Sequence, residues 1–219
     1  MPGPTLHCAP ILLYATTHLR ATDPAFAVLI DRIGPCTFQA KPREPYEALI
    51  RAIAHQQLHG KAAEAILARF MALFPPPFPA PDAVLATPDE PIRACGFSAS
   101  KILAIRDICT HTQGGRVPTS TEAAALDDAT LIDRLITIRG VGRWTVEIFL
   151  IATLGRPDVL PVDDFGVREG WRLIKGFDKQ PKPRELAELG TAWSPHRSTA
   201  AWYLWRASDE GKKVKQPPV

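Results

Sequence analysis

The sequence lacks the features that mark a membrane or secreted protein. Its longest apolar run covers only Ile148 to Leu154, far short of the roughly 18 residues that cross a bilayer. No basic stretch precedes the short apolar segment from Ala9 to Ala15, so a secretory signal peptide is not predicted. We therefore expect a cytoplasmic protein that has no membrane partner.

Cysteine is scarce and widely spread. The four cysteines are Cys8, Cys36, Cys95 and Cys109, with no Cys-x-x-Cys pair among them. Structural zinc sites and four-cysteine iron–sulfur clusters need closely spaced ligands, so neither is predicted. Four cysteines in 219 residues are also too few for a disulfide scaffold. The sequence favours a reducing compartment and requires no cofactor.

The charge balance is not extreme either. Lys and Arg number 26 against 23 Asp and Glu, for a net charge of +3. This mild excess permits nucleic-acid binding without arguing for it. A hydrophobic content of 46% excludes a disordered chain, and the length corresponds to one domain, which can be split into two lobes.

Helical spacing dominates what is present, and strand patterns are nearly absent. Phe26, Leu29 and Ile33 recur at helical intervals until Gly34–Pro35 ends the run. Similar stripes separated by Pro and Gly predict an all-α fold of about ten helices. The later predicted helices cover about 62–74, 81–86, 88–94, 98 or 100 to 113, 121–137, 143–154, 163–175, 182–193 and 196–208. Residues 1–21 show no clear period and are expected to form a short strand or an extended tail, and 209–219 are expected to form a disordered tail.

The most informative segment runs from Leu135 to Thr145, with the sequence LITIRGVGRWT. Gly140 and Gly142 lie between two predicted helices, where glycine allows positive φ and close approach of backbone amides to a phosphate. The helix start that follows adds further amides and the positive end of its dipole. Such a turn can bind a nucleic-acid backbone without reading bases. The alternative is a plain αα-hairpin, and the apolar anchors around the turn favour the functional interpretation.

Three segments, in order, resemble motifs of the helix–hairpin–helix (HhH-GPD) DNA glycosylases. They are the hairpin just described, LPVDDFGVR at 160–168 and WSPHRSTAAWYLW at 193–205. They are most similar to the AlkA-type 3-methyladenine DNA glycosylase II branch, and the resemblance covers about 40–208. The extra N-terminal α/β domain of that branch is missing or reduced to a remnant here.

The resemblance implies a single glycosylase domain over 1–219, with an active-site cleft between two lobes. Lobe one would cover about 40–150, including the helix–hairpin–helix at 131–154. Lobe two would combine about 1–39 with 155–208. The implied activity is hydrolytic excision of alkylated purines, of the 3-methyladenine and 7-methylguanine type, from duplex DNA in base excision repair.

Asp163 and Asp164 stand together at a predicted helix start. One Asp there needs no role beyond capping, but two adjacent residues cannot both be the cap. We assign Asp163 to capping or turn stabilisation and Asp164 to catalysis, because Asp164 with Val167 matches the family spacing. A fixed carboxylate stabilises the positive charge that develops on the sugar and can orient or activate a water.

The position that separates two kinds of family member holds Trp144. Bifunctional members carry Lys there, which attacks the sugar and forms a Schiff base. The nearest lysines in this sequence are Lys101 and Lys175. The sequence therefore predicts water as the nucleophile, an abasic site as the product, and no lyase activity.

Aromatic residues in the motifs suggest how a damaged base is held. By resemblance, Trp144, Phe165 and Trp205 match the lesion pocket, where electron-rich rings stack on a flipped cationic base. Core packing is the usual fate of helical aromatics and is the alternative for each of the three. Trp202 is expected to lie in the core.

The turn from Gln56 to Gly60 resembles the family's minor-groove wedge. Leu58 would be an apolar plug and His59 an alternative plug or polar contact, although a buried Leu and a capping His are equally weighted alternatives. Arg197 can contact a phosphate or instead form a structural ion pair, and Lys61 and Lys101 can face DNA or be solvated surface charges. The residues predicted to bind DNA are Leu58, His59, Gly140, Val141, Gly142, Arg143 and Thr145.

The remaining expectations concern partners and ions. The family's hairpin often holds a monovalent cation through backbone carbonyls, which here would belong to Ile136, Ile138 and Gly140. The expected partner is double-stranded DNA containing alkylated bases, bound by a monomer that is nucleoid-associated if the source is bacterial. A non-catalytic DNA-binding module is the main alternative. A glycosylase/lyase for oxidised bases is opposed by Trp144 and by the missing cysteine cluster.

Overall fold

The computed structural model describes residues 9–58 and 60–215, and over these residues the chain forms helices and no β-strand. The predicted all-α fold is confirmed, with thirteen α-helices rather than about ten. The first seven are α1 Ala9–Thr22, α2 Pro24–Ile33, α3 Pro45–His55, α4 Gly60–Met71, α5 Pro81–Ala86, α6 Asp89–Ala94 and α7 Ala99–Gln113. The others are α8 Ser120–Ala125, α9 Asp128–Leu135, α10 Arg143–Ala152, α11 Phe165–Lys175, α12 Pro183–Leu189 and α13 Arg197–Lys215, with a 3-10 helix at Gly190–Trp193 before α13.

Local capping explains why the helices are shorter than the periodicity predicts. The single helix expected at 121–137 is wrong, because Leu126 is extended and Asp127 accepts a hydrogen bond from the Thr130 amide at 2.8 Å. A second N-cap inside an apolar stripe starts a new helix without interrupting the stripe. Hydrophobic spacing alone therefore does not reveal the break.

Both ends of the chain are more helical than expected. The segment without a clear period contains α1, and the expected tail from 209 onward is helical as far as Lys215. Ala207 and Ser208 are buried, and Gly211 lies against Leu173 of α11, so packing extends α13 beyond its last aromatic residue. Cys8 and residues 216–219 lie outside the described residues.

The described chain divides into two compact units. We call residues 42–149 the central unit, and the described residues before 42 and after 149 the terminal unit. No helix among the described residues is long and apolar enough to cross a membrane. The buried cysteines Cys36, Cys95 and Cys109 are free thiols.

An aromatic cluster forms the core of the terminal unit. The Trp171 and Trp193 rings lie 5.0 Å apart between centroids, and the Phe26 ring contacts both. Trp202 is buried in the same core, as expected. Gly170 lets α11 pack closely on α13, because a Cβ there would overlap the Leu204 carbonyl. This close crossing fixes the position of α13 relative to the start of α11.

Candidate functional site

The Val167 amide and the Trp205 indole help to hold the carboxylate of Asp164 at the start of α11. Its Oδ1 accepts a hydrogen bond from the Val167 amide at 2.8 Å and another from Trp205 Nε1 at 2.8 Å. The assignment of the cap to Asp163 is therefore wrong: Asp164 is the N-cap, and Asp163 is exposed. The spacing between Asp164 and Val167 fits an N-cap as well as the family motif. An N-cap side chain accepts a hydrogen bond from the amide three residues later, and the motif has the same spacing.

Capping does not compete with a catalytic role for Asp164. The cap and the indole orient the carboxylate at the positive end of the helix dipole. A carboxylate held rigidly before reaction needs no reorganisation as positive charge develops nearby. The arrangement suits electrostatic stabilisation of a cationic transition state.

Close packing brings Trp205 to this carboxylate. Gly166 is the second residue of α11, and a Cβ there would come within 2.9 Å of Trp205 Cδ1 and 3.1 Å of Asp164 Oδ1. Any larger residue at this position would push the indole away. The structure thus gives Trp205 a positioning role that the sequence did not reveal.

The other predicted pocket aromatics fall in different surroundings. Phe165 directly follows Asp164 and is 63% exposed, so it is not a core residue. Trp144 is half-buried in the first turn of α10 in the central unit. The structure thus brings Phe165 and Trp205 together around Asp164 within the terminal unit.

A second carboxylate in the terminal unit, Asp158, has a structural role. The Arg197 guanidinium donates to both of its oxygens at 2.7 and 2.9 Å, and the Arg197 amide and Ser194 hydroxyl also donate to it. Burial would raise the pKa of Asp158, but these hydrogen bonds outweigh it and hold the pKa below its ordinary value. Arg197 therefore forms the structural ion pair that was one of its two expected roles.

The glycine hairpin of the central unit is a tight turn with two different glycines. The Val141 amide donates to the Ile138 carbonyl at 3.1 Å, and both side chains are buried as anchors. Gly140 has φ +77°, and a Cβ there would lie 2.6 Å from the Cβ of Ala104. Gly142 is exposed and a Cβ would meet open space. Folding requires Gly140, whereas the glycine at 142 leaves the backbone accessible to a ligand.

Helix α10 begins immediately after this turn. Its first intrahelical bond runs from the Val146 amide to the Gly142 carbonyl, and a helix start presents its preceding amides along the axis. Arg143 is 62% exposed in its side chain, and its Nε donates at 2.9 Å to Glu147, a carboxylate that is 5% exposed. The guanidinium therefore remains available at the surface while its orientation is restrained.

Two of the predicted DNA contacts have buried side chains. Val141 packs inward, and Thr145 is 1% exposed with its Oγ1 accepting a hydrogen bond from Gln56 at 3.2 Å. Their side chains serve the hairpin's packing, so any contact with a phosphate falls to the backbone. The sequence pattern at the start of a helix does not show which side chains are buried and which can contact a ligand.

The predicted wedge turn follows α3 and is exposed at its tip. Leu58 is 40% exposed, against the expectation for a core leucine, and Gln57 has φ +58°. His59 lies outside the described residues. Lys101 donates to the carbonyls of Ala54 and Gln56 at 2.9 and 2.8 Å, and burial lowers the pKa of its ammonium. Lys101 thus caps the end of α3 instead of facing DNA, whereas Lys61 is exposed.

The hairpin carbonyls were predicted to hold a monovalent cation. The Ile138 carbonyl accepts the Val141 amide, and the Gly140 carbonyl accepts Gln56 Nε2 at 3.0 Å. A carbonyl oxygen has two lone pairs, so each keeps a further acceptor site. Among the described residues no group of three or more His, Cys, Asp or Glu side chains could hold a metal ion.

A sequence model of the family described as HhH-GPD superfamily base excision DNA repair proteins matches residues 50–196. The chain belongs to this superfamily. The matched range contains the wedge turn, the hairpin and Asp164, and it ends just before α13.

Individual relatives agree with the HhH-GPD assignment. DNA-3-methyladenine glycosylase 1 of Schizosaccharomyces pombe is 42% identical over 201 residues, which cover 90% of this chain and 88% of that protein. A structure of a 3-methyladenine DNA glycosylase from the same organism, in complex with abasic DNA, matches with a TM-score of 0.86 and 41% identity over 90% of this chain and 97% of that one. A DNA-3-methyladenine glycosidase from Bacillus halodurans matches with a TM-score of 0.78 and 33% identity over 91% of both chains.

Sequence reasoning missed three supporting residues. Glu147 lies four residues after Arg143, a spacing at which oppositely charged side chains pair on a helix, so the sequence held that signal. Gln56 and Lys101 gave none, because their partners are far along the chain: 84 residues separate Gln56 from Gly140, and 47 separate Lys101 from Ala54.

Proposed function

We propose that this protein is a monofunctional DNA glycosylase that releases alkylated purines from duplex DNA by hydrolysis. The observation that carries the proposal is the Asp164 carboxylate, fixed at the start of α11 by the Val167 amide and the Trp205 indole. By motif resemblance, Asp164 corresponds to the family's catalytic aspartate. The names of the relatives, 3-methyladenine glycosylases, support alkylated bases as substrates.

The chemistry follows from the charge on the damaged base. Alkylation at N3 or N7 makes the purine a cation, so it leaves with the electron pair of the C1′–N bond without needing a strong general acid. Positive charge develops on the sugar, and the Asp164 carboxylate stabilises it. Water forms the new C1′–O bond and gives its proton to the carboxylate or to solvent. The products are a free neutral base and an abasic site.

The aromatic residues suit recognition of charge. An exposed ring such as Phe165 can stack on a flipped cationic base, an interaction worth about 0.5–2 kcal/mol per contact. Trp144 completes the set assigned by resemblance. Because Trp144 stands where lyase members of the family carry Lys, no Schiff base is formed and the DNA strand stays intact.

DNA is held through the hairpin and the wedge turn of the central unit. A phosphate approaches the backbone at Gly142 and the start of α10, and Arg143 adds its guanidinium. Leu58 fills the gap that the flipped base leaves. A monovalent cation bound by the carbonyls of Ile136, Ile138 and Gly140 would neutralise charge at this turn. We propose that the enzyme acts as a monomer on alkylated duplex DNA.

The test is to incubate the protein with duplex DNA carrying 7-methylguanine or 3-methyladenine and to measure the free base released. Undamaged duplex of the same sequence is the control. The proposal predicts release from the damaged duplex alone. Binding to both duplexes without release would instead identify a non-catalytic helix–hairpin–helix module.

A further inference from the structure

The wedge turn and the hairpin are joined by one side chain. The Gln56 amide nitrogen donates to the Gly140 carbonyl at 3.0 Å and to Thr145 Oγ1 at 3.2 Å. Both acceptors belong to the hairpin segment, one in the turn and one in the first turn of α10. An amide nitrogen has two hydrogens, so these two bonds use both of them and fix the orientation of the side chain.

The backbone carbonyl of Gln56 is bonded to a different element, α7. The Lys101 ammonium, on α7, donates to the Gln56 carbonyl at 2.8 Å and to Ala54 at 2.9 Å. Gln56 is therefore held by its carbonyl to one element and by its side chain to another. A charged donor on these carbonyls is stronger than a neutral one.

The turn that follows needs this support. Gln57 adopts φ +58°, a left-handed conformation that is strained for a non-glycine residue. Leu58 then places an apolar side chain in solvent. A strained, exposed tip persists only when neighbouring contacts determine its conformation, and Gln56 is the residue through which the hairpin supplies them.

Both acceptors of the Gln56 amide lie in well-packed parts of the hairpin. Thr145 is buried, and the Gly140 backbone lies so close to Ala104 that an added Cβ would come within 2.6 Å of the Ala104 Cβ. Because the Gln56 side chain is bonded to two acceptors in the packed hairpin, the position of the hairpin determines the position of the wedge turn. A residue that only closed the end of α3 would not need partners 84 and 89 residues away.

We propose that Gln56 is a positioning residue that sets the wedge turn against the hairpin, so that phosphate binding at the hairpin places Leu58 at the vacated site. The proposal rests on the proposed glycosylase function. It makes the bond between Gln56 and the hairpin important for extruding a paired base. The bond matters little once the base is already unpaired, because extrusion then costs little.

The experiment compares two duplexes under single-turnover conditions. One carries 7-methylguanine opposite cytosine, and the other carries it opposite an abasic-site analogue. Gln56→Met keeps the length of the side chain but removes both donors. Gln113→Met, at the exposed end of α7, is the matched control. Thermal unfolding of each variant verifies the fold.

We expect Gln56→Met to slow excision of the paired base at least tenfold and of the unpaired base less than threefold, with Gln113→Met unchanged on both. Equal losses on the two duplexes, or no loss on either, would overturn the proposal. Wild-type protein that releases no base from either duplex would overturn the glycosylase function itself, which is a separate outcome.

A second variant covers the case in which Gln56→Met does not fold. Leu58→Ala alters only the exposed tip, and it should show the same selective loss on the paired duplex. In the Leu58→Ala background, Gln56→Asn, which shortens the side chain but keeps the amide, should cause less than a twofold further loss. A further loss of tenfold would show that Gln56 does not act through the tip.

Discussion

Two carboxylates of the terminal unit lie near helix starts and have different partners. Asp158 meets the Arg197 guanidinium through both oxygens, and the ion pair ties the start of α13 to the preceding loop. Asp164 accepts hydrogen bonds from a backbone amide and an indole, which are neutral donors. Both residues are aspartates in loops that precede helices, so sequence position alone does not separate them.

The difference lies in what happens to the negative charge. A guanidinium neutralises the carboxylate that it binds, so the negative charge of Asp158 has little electrostatic effect on a substrate. The Val167 amide and the Trp205 indole are neutral, so these two donors orient the Asp164 carboxylate without themselves cancelling its charge. The comparison teaches that two aspartates in neighbouring loops can be held by donors of different charge.

Asp164→Asn should have the largest effect. Asparagine is also a good N-cap, so the fold should persist, while excision falls about 10²–10³-fold because the transition-state charge is lost. Single-turnover release of 7-methylguanine, with circular dichroism as the check on folding, measures this. Asp163→Asn is the control, and it should be close to wild type because Asp163 is exposed and is not the cap. If the Asp163 variant were the inactive one, the assignment would be reversed.

Gly142→Asp places a carboxylate where an anion should bind. We expect affinity for undamaged duplex to fall about tenfold or more, because the new charge repels a phosphate, and binding of the wild type to weaken steeply with salt. Gly142→Asn has the same size without the charge, and it should bind more tightly than the Asp variant. Titration by fluorescence anisotropy at several salt concentrations measures both. Equal affinities of wild type and the Asp variant would remove the hairpin from the interface.

Trp205→Phe tests whether a neutral donor positions the catalytic carboxylate. The ring is kept but the hydrogen bond to Asp164 Oδ1 is lost, a change worth about 1–1.5 kcal/mol. Excision should slow about fivefold to tenfold, while the affinity for abasic-site DNA changes little. A variant that matched the wild-type rate would show that the hydrogen bond from Trp205 does not position Asp164 for excision.

Asp158→Asn should show the opposite pattern, with excision altered less than threefold and stability reduced by about 1–3 kcal/mol. The group is partly exposed, so the loss stays below that of a fully buried ion pair. Urea unfolding at neutral pH measures this change. An Asp158 variant that stayed fully stable but lost excision would contradict the comparison.

The pKa of Asp158 also gives the direction of a pH effect. Because its folded-state pKa lies below the ordinary value of 3.8, the ionised form stabilises the fold above about pH 3.8. That stability is lost as the pH falls through the folded-state pKa. The wild type should therefore lose more stability than Asp158→Asn as the pH falls below about 4. Acid titration followed by circular dichroism measures this difference.

Much of the fold was predictable because the signals are local. The helices at 81–86 and 88–94 and the glycine turn were read from Pro, Gly and apolar spacing, and the structure contains each of them. The division into α8 and α9 was missed because an N-cap at Asp127 leaves the apolar stripe intact. Helix α13 was cut short since packing of Gly211 against Leu173 is not visible in its polar sequence.

The site was only partly predictable for the same reason. Motif order identified Asp164, but the cap, the Trp205 bond and the Gln56 bridge depend on atoms brought together by folding. Exposure also had to be seen in the structure: Leu58 is exposed and Thr145 is buried, although both are found beside turns. Sequence indicates which residues take part, and tertiary contacts determine what each one does.

The central claim is hydrolysis directed by Asp164 without a covalent enzyme–DNA intermediate. The most direct measurement is turnover of 7-methylguanine duplex in the presence of borohydride, with free base, strand cleavage and protein–DNA adducts followed together. The account predicts free base at the enzyme's own rate, a strand that breaks only after hot alkali, and no adduct. A borohydride-trapped adduct forming at the rate of excision would mean that an amine attacks the sugar, and it would contradict the account.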